Sequence, residues 1–576
     1  MRGVTRTAPR WVFPREPDVE ALAELVQSLG IPEVACRLLI SRGFGQAEEA
    51  KRYLRPRLDQ LHDPSTLLGL PAAVQRLVAA IRDGDLVMIH GDYDVDGICS
   101  TTLLTRTIRI LGGKVHPFIP NRMTDGYDLG SAGVEEAKKV GAKVVLTCDC
   151  GTSARRAIAD LCSAGIDVIV TDHHLPSEML PDCLAVLNPK REGCEYPDKD
   201  LAAVGVAFKL SLALTRAMNR EDGFVWGMLD LVALATIADV APLRGENRVL
   251  VRKGLKLLGE TRNVGVRALM RASGLTGKAL TAGRVGFILA PRLNAAGRLG
   301  QALRGVELLL CETDAEANPI ARELEELNQR RQDLDRRTLE EAREMIAKID
   351  LRNTFGIVLW SDTWHPGVIG IVASRVVEEF CRPAMLIAVK DGEGKGSGRS
   401  IPAFNLHSGL AECRSLLKRF GGHRSAAGVT VDQNQLEAFA ARFNEVAKAQ
   451  LKPDDLIPEL RVDLELNIDA ADSDLEKVLR HFEPFGMGNP SPVFVARKVR
   501  LAASPEVVGR DGLKLKLATR HGNIEALGWG MADRAGEFRK DQDVDVAFRL
   551  ERDEFRNEIR LQARIADIFP HQEAAA

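Results

Sequence analysis

Three short apolar runs, LVMI at 86–89, VVLT at 144–147 and IDVIV at 166–170, each lead through a polar turn towards a helical stretch, as at 99–111 and 153–163. Strands and helices that alternate in this way form a parallel, doubly wound sheet, and such sheets hold their ligands outside the carboxyl ends of the strands. Here those ends read HGDYDVDG (90–97), Cys148-Asp149-Cys150-Gly151 and Thr171-Asp172-His173-His174, so acids and histidines reach one crevice. Three of the chain's 11 histidines fall in these segments, and ATIADVAPL (235–243) adds Asp239 at the end of an apolar helical run.

Asp and His together suit manganese or magnesium, with imidazole also admitting zinc or iron. Several carboxylates with two or more histidines carry too much negative charge for one hard ion. Two ions about 3.5–4 Å apart, bridged by one carboxylate, would use it in phosphoryl hydrolysis. The spacing His90, Asp94, Asp96 fits, since the two acids could each reach a different ion and Gly97 lets the backbone bend into the next helix. Rival readings exist for this loop. Asp92 to Gly97 matches the start of an EF-hand, but position 12 is Leu103 rather than Glu and a strand precedes the loop. A D-x-D after a strand also suits an aspartyl-phosphate nucleophile, and a solvated surface turn is the bland option. Asp149 and His173 nearby favour metal-assisted hydrolysis.

Length and composition bound the rest. The 576 residues suggest about four domains at roughly 150 residues each. Lys plus Arg number 78 against 80 Asp plus Glu, a net charge of -2 that excludes a globally basic nucleic-acid coat but not local basic surfaces. Ten scattered cysteines form no paired C-x-x-C, so Cys148 and Cys150 read as buried apolar groups of a reducing, cytoplasmic protein. No apolar run approaches the roughly 20 residues of a membrane helix, and the opening MRGVTRTAPR has no apolar signal core. Residues 312–349 predict a long helix of about 45 Å with a packed stripe at Ile320, Leu324, Leu327 and Leu334. FGIVLW (355–360), a helix near 368–380 and AMLIAV (384–389) predict a second α/β unit that runs into a glycine-rich loop. Short strands beyond 460 predict a small barrel. Seven Lys or Arg between 497 and 520 suit a backbone-tracking groove, with few aromatics beside Phe494 and Trp529. GLTGKAL lacks the hydroxyl of a Walker A loop, which argues against a helicase motor.

HGDYDVDG, CDCG, TDHH and ATIADVAPL resemble the four motifs of the DHH phosphoesterase family. PRLNAAGRLG (291–300), GSGRS (396–400), FGGHRSAAG (420–428) and EPFGMGNPSPVF (483–494) resemble segments that accompany them in the family's single-strand-specific 5′-to-3′ DNA exonucleases, in the expected order over residues 45–566. Helix patterns around ALAELVQSLG and IPEVACRLLISRG predict a helical lead-in (1–55), and the resemblance implies a parallel-sheet α/β DHH domain (56–310), a connecting helix (311–350), a second α/β substrate-binding domain (351–455) and an OB-type barrel that binds DNA (456–570). It carries ligand roles for two Mn2+ or Mg2+ ions to Asp94, Asp149 and His90 at the first and to Asp96, Asp149, His173 and Asp239 at the second. Asp149 is the bridge. His174 would face the scissile phosphate, so that catalysis rests on Asp149, His173 and His174, while Asp92 and Asp172 orient ligands. Arg122, Ser397 and Arg399 would hold a 5′-terminal phosphate, His423 would contact a phosphate near the metals, and Arg292, Asn294 and Arg298 would line the strand's path. The pattern departs at Gly300, where an Asp is expected.

The implied function is release of mononucleotides from single-stranded DNA in repair and recombination, by a monomer with helicase and single-strand-binding partners. Two other outcomes are open to the fold: a binding scaffold without catalysis, and a phosphatase of short oligonucleotides or nucleotides. Filled ligand positions favour catalysis, and residues 460–566 favour long polymers.

Overall fold

The computed structural model describes residues 8–572 apart from 123, 127, 556 and 557. Two compact units form, one from Leu58–Leu456 with Gly486–Asn489, the other from Thr7–Arg57, Ile457–Phe485 and Pro490–Ala576. Among the described residues no single helix is long and apolar enough to cross a membrane.

The first unit opens with a five-stranded parallel sheet of β1 (Leu86–Gly91), β2 (Lys114–Phe118), β3 (Val144–Cys148), β4 (Asp167–Thr171) and β5 (Ala185–Leu187), in spatial order β2-β1-β3-β4-β5. Helices cover both faces, which is why β1, β3 and β4 are near-continuous apolar runs rather than alternating ones. Helix α1 (Val95–Ile110) starts at Asp94, whose Oδ1 accepts from the Asp96 and Gly97 amides at 2.9 and 3.2 Å. Only glycine fits at 97, because a Cβ there would lie 2.3 Å from the Asp92 carbonyl oxygen. Helices α2 (Ala203–Ala217), α3 (Leu229–Ala238) and α4 (Gly245–Gly259) follow, and α5 (Ala290–Leu299) carries the PRLNAAGRL segment.

The long helix is α6 (Asp314–Ile346), 33 residues. Its inner stripe differs from the expected one. Of the four apolar positions only Leu324 is fully buried, and the stripe passes through Asn328, Asp335 and Thr338. The reason is that α6 serves two cores. Ala317, Ala321 and Leu324 belong to the first, Leu339, Ala342 and Ile346 to the second, and the polar middle pairs Asp335 with Arg375 at 2.9 Å.

A second sheet follows, ordered β9-β10-β8-β7-β6, from β6 (Ile357–Ser361), β7 (Ala384–Lys390), β8 (Glu393–Arg399), β9 (Arg419–Gly422) and β10 (Ala426–Asp432), with α7 (Ile369–Phe380) between β6 and β7. The expected glycine-rich loop is instead the strand β8. Its glycines lie at alternate positions, and a Cβ on Gly394, Gly396 or Gly398 would come within 2.5–2.6 Å of Ile387, Val429 or Met385. Glycine here thins one face of a strand so that neighbouring side chains pack over it.

In the second unit seven strands run in the order Leu464–Glu465, Phe494–Arg500, Asp543–Phe555, Glu558–Pro570, Gly522–Trp529, Gly512–Thr519 and Glu506–Val508. The Ala502 amide donates to the Lys516 carbonyl at 2.8 Å, returning one end of the sheet to the other as a barrel requires. Helices Val19–Leu29, Glu33–Ser41 and Ala47–Leu54 are not a free lead-in: Leu25, Leu38 and Leu39 share a core with Phe482, Phe494 and Phe548. The basic run is largely neutralised, since Arg497, Arg500, Lys514 and Arg520 pair with Glu465, Asp543, Glu525 and Asp469. Phe494 is a core residue and offers no stacking face; Trp529 is 45% exposed.

Candidate metal and phosphate site

The carboxyl ends of β1, β3 and β4 bring the predicted acids and histidines together. Asp149 follows β3 with φ +61, a left-handed conformation that a non-glycine residue rarely adopts. Asp239 caps the end of α3, and Val240 beside it has φ +60, a conformation costly for a β-branched residue. One strained residue is itself among the clustered acids and the other adjoins Asp239, and such strain concentrates at functional sites.

Three sets of side chains bring their ligand atoms within 4.8 Å of one another: Asp92, Asp94 and Asp149; Asp96, His173 and Asp239; and Asp149, His173 and His174. Asp149 and His173 each belong to two sets. Asp149 Oδ1 lies 3.2 Å from His173 Nε2, which lies 3.8 Å from Asp239 Oδ2. Yet Asp149 Oδ1, His173 Nε2 and Asp92 Oδ1 are buried with no hydrogen-bond partner. Leaving such groups unpaired costs about 1–3 kcal/mol each, more when charged, unless a cation takes their lone pairs. The donor set therefore fits hard divalent ions.

The electrostatics agree. Burial, then the charges of Asp94, Asp96, Asp92 and Asp239, lifts Asp149 well above the ordinary carboxylate range. Burial with Asp94 and Asp96 as neighbours raises Asp239 to about 8, and burial with Asp94 raises Asp96 to about 7. So many acids cannot all ionise side by side without positive charge between them. Burial lowers His173 to about 3, which leaves a neutral imidazole of the kind that ligates metals. His174 behaves oppositely. Burial opposes its charge, but its Nδ1, 2.8 Å from Asp172 Oδ1, gains enough from Asp172, Asp239 and Asp92 to be raised to about 9. Asp172 also accepts from the amides of His173, His174 and Thr152, which fixes the turn as the orienting role requires. Asp96 is anchored too: its two oxygens accept from the Ala203 and Val204 amides at 2.8 Å each, at the start of α2.

Beside the acids lies a cavity of about 180 Å³, walled by Asp94 and Asp239 on one side and by Tyr93, Arg122, Asn294 and Arg298 on the other. The Arg122 guanidinium stacks 4.7 Å from the Tyr93 ring centre. Burial and the charges of Arg122, Arg331 and Arg399 push Arg298 down to about 10. Arg298, Arg122 and Arg399 thus repel one another, an arrangement that an anion would relieve. Arg399 donates to the Gly398 carbonyl at 2.8 Å and to Ser397 Oγ at 3.4 Å.

The sheet that aligns these motifs is of a recognisable kind, and three stretches match family models: the DHH family N-terminal domain over 86–236, the DHHA1 domain over 353–449 and the RecJ OB domain over 462–567. The chain is 37% identical over 579 residues to the single-stranded-DNA-specific exonuclease RecJ of Salmonella typhimurium, covering 96% of this chain and 99% of that one. The chain belongs to the RecJ family. The Bacillus subtilis RecJ is 35% identical over 97% of this chain and 70% of its own length. Among solved structures, RecJ from Thermus thermophilus in complex with Mn2+ superimposes with a TM-score of 0.83 at 33% identity, over 98% of this chain and 80% of that one. The Mg2+ complex of the same protein gives a TM-score of 0.78.

Not every expected site residue joins the cluster. His90 is fully buried, with Nδ1 3.5 Å from Cys150 Sγ and Nε2 left without a hydrogen-bond partner like the atoms above; it belongs to none of the three sets, whereas Asp92 takes a place in one. Asp92, expected to orient ligands, has an oxygen within reach of those of Asp94 and Asp149. Arg292 is engaged by Glu325 and the Ile288 carbonyl. Asn294 accepts from the Val95 amide at 3.3 Å and lines the cavity. His423 lies exposed in the turn between β9 and β10, its amide donating to the Ala426 carbonyl. A Cβ at Gly300 would come 3.1 Å from Leu327 Cδ1, so the Asp expected there would press on α6. Asp128, unflagged by any motif, accepts from the Gly151 amide at 2.7 Å and holds the turn after Asp149. Tyr93 was hidden between two acids.

Proposed function

We propose that this protein is a metal-dependent exonuclease that hydrolyses single-stranded DNA from the 5′ end, releasing mononucleotides, as an enzyme of DNA repair and recombination. The observation that carries the reading is the juxtaposition of the unpartnered Asp149 and His173 atoms with the arginine-lined cavity beside them. Asp92, Asp94 and Asp149 would hold one ion, and Asp96, His173 and Asp239 the other, with Asp149 reaching both; Mn2+ and Mg2+ suit these donors. When bound, two such ions neutralise the diester and activate water.

The chain's own residues do the rest. Arg122, Arg298 and Arg399, with Ser397, grip a terminal phosphate, so that one nucleotide separates the held end from the acids. His174, kept protonated by Asp172, donates to a phosphate oxygen as charge builds on it. Asp96, tied to α2, and Asp149, fixed in its left-handed turn, do not have to reorganise during the reaction. The sequence holds no Walker A loop, which fits a reading in which a partner helicase opens duplex substrates; in the same reading a single-strand-binding protein presents the strand and this chain acts as a monomer.

The test supplies Mn2+ or Mg2+ and 5′-blocked, 3′-blocked, unblocked and duplex oligonucleotides, beside Asp149→Ala. Mononucleotides from single strands with a free 5′ end, lost in the variant, are expected. Release from 3′ ends would remove the phosphate pocket from the reading. Tight single-strand binding without hydrolysis under any metal would make the protein a scaffold.

A further inference from the structure

The strongest unexplained feature outside the acids is an aromatic ring left bare. Phe287 is 87% exposed, the largest exposure among the exposed large apolar residues described. It sits at the centre of Val285–Leu289, a π-helical turn that leads directly into α5, with Val285 and Leu289 buried on either side of it. A π-turn is rare, widens the helix and re-aims its side chains, and such turns occur frequently at functional sites.

Two observations place this ring relative to the site. Asn294 and Arg298 on the same continuous helix line the cavity, and Phe287 precedes Asn294 by seven residues, about two turns or roughly 10 Å at 1.5 Å per residue. Next to Phe287, the Cβ position of Gly286 lies 3.4 Å from Ile237 Cγ2, on the last turn of α3, which ends in Asp239. Val240, after Asp239, is itself 56% exposed. The helix therefore carries, in order, the bare ring, Asn294 beside the acids and Arg298 at the basic end.

We propose that Phe287 is a stacking platform for a base of the strand on the far side of the scissile phosphate from the held 5′ end. The inference rests on the function proposed above: with the terminal phosphate at Arg298 and the scissile one at the acids, the remaining strand leaves in the direction of Phe287. An exposed aromatic face suits any base, because every base has a π-face, and it adds hold without sequence preference. Continuity with the cavity wall favours a nucleic-acid strand over a partner protein as the occupant.

The experiment uses the full chain in EDTA, so that nothing is cleaved, and single strands carrying 2-aminopurine at successive positions from a 5′-phosphate. Wild type is expected to quench the probe most strongly at one position a few nucleotides in. Phe287→Ala should lose that maximum, and Phe287→Trp should restore it. With Mn2+, Phe287→Ala should raise KM for a 20-nucleotide strand roughly five- to hundredfold, the range set by base–aromatic stacking. Placing an abasic site at the stacked position should erase the difference between variant and wild type. If wild type neither binds nor hydrolyses single strands, the proposed function falls. If wild type hydrolyses them and Phe287→Ala matches it in quenching and KM, only the platform falls, and the ring becomes a docking point for a protein.

Discussion

Asp149 Oδ1 and His173 Nε2 lie 3.2 Å apart, and neither makes a hydrogen bond. Two buried polar atoms held this close without an aligned hydrogen bond point at a common occupant. The surrounding acids, raised by burial and by each other, make that occupant a cation.

Replacing Asp149 by Asn separates the two demands on this residue. Activity should fall on the order of 10³-fold or more, since loss of even one electrostatic transition-state contact costs about 10²–10³. The melting temperature in EDTA should rise, because the folded state no longer has to hold this carboxyl protonated, or ionised among like charges. A variant that melts lower than wild type without metal would contradict the crowding argument.

The same crowding sets a pH dependence. The folded state holds Asp96 up to about 7 and Asp239 up to about 8, so it binds more protons than the unfolded chain above pH 4. Stability of the metal-free protein is then full below about pH 4 as far as these groups are concerned, and falls as pH rises to about 8. Bound Mn2+ should cancel the loss, so the gain in melting temperature on adding metal grows between pH 5 and pH 8. Paired melts with EDTA and Mn2+ check this; a gain that is flat or shrinks with pH would rule it out.

Arg298→Ala should weaken recognition of the strand end rather than the chemistry. Loss of charge-assisted bonds to phosphate predicts KM for 5′-phosphorylated strands about ten- to hundredfold higher. It also predicts little remaining preference over 5′-hydroxyl strands. The comparison of kcat/KM for the two ends, wild type against variant, decides it. An unchanged preference would remove Arg298 from the end pocket.

Stability should be most sensitive at a buried ion pair behind the site. Lys209 and Glu246 are each 1% exposed and meet at 2.7 Å, with the Tyr196 hydroxyl donating to the other Glu246 oxygen at 2.5 Å. Lys209→Met strands the carboxylate and should cost about 3–5 kcal/mol, read from the urea midpoint. A loss below about 1 kcal/mol would mean that water reaches the pair.

Much of the site was legible in the sequence because period and chemistry coincide there. Apolar runs ending in Asp or His located β1, β3 and β4, and Asp149, His173 and Asp239 converge as those ends require. What stayed hidden depends on partners distant along the chain. His90 and Asp92 are two residues apart in one motif, and only the fold shows that His90 packs on Cys150 while Asp92 comes within reach of Asp94 and Asp149. The basic run 497–520 looked like a binding surface because its counter-charges, Glu465, Asp469 and Asp543 among them, lie outside the run. The glycines of β8 looked like a loop because the side chains that need the space, Met385 and Val429, come from neighbouring strands. In each case the local pattern was sound and a long-range neighbour decided the outcome.

Strand Arg10–Val12 pairs in parallel with Glu459–Arg461, and the three helices after it share a core with residues as late as Ile568. On the ribosome, therefore, these helices lack part of their core until residues near 568 have emerged. At roughly 5–20 residues per second, their apolar faces wait on the order of half a minute to two minutes while some 500 residues are added. The intervening unit is contiguous from Leu58 to Leu456 and lacks only Gly486–Asn489 when that stretch is complete. The second unit can complete its core only late, and it is there that chaperones have the longest interval in which to act.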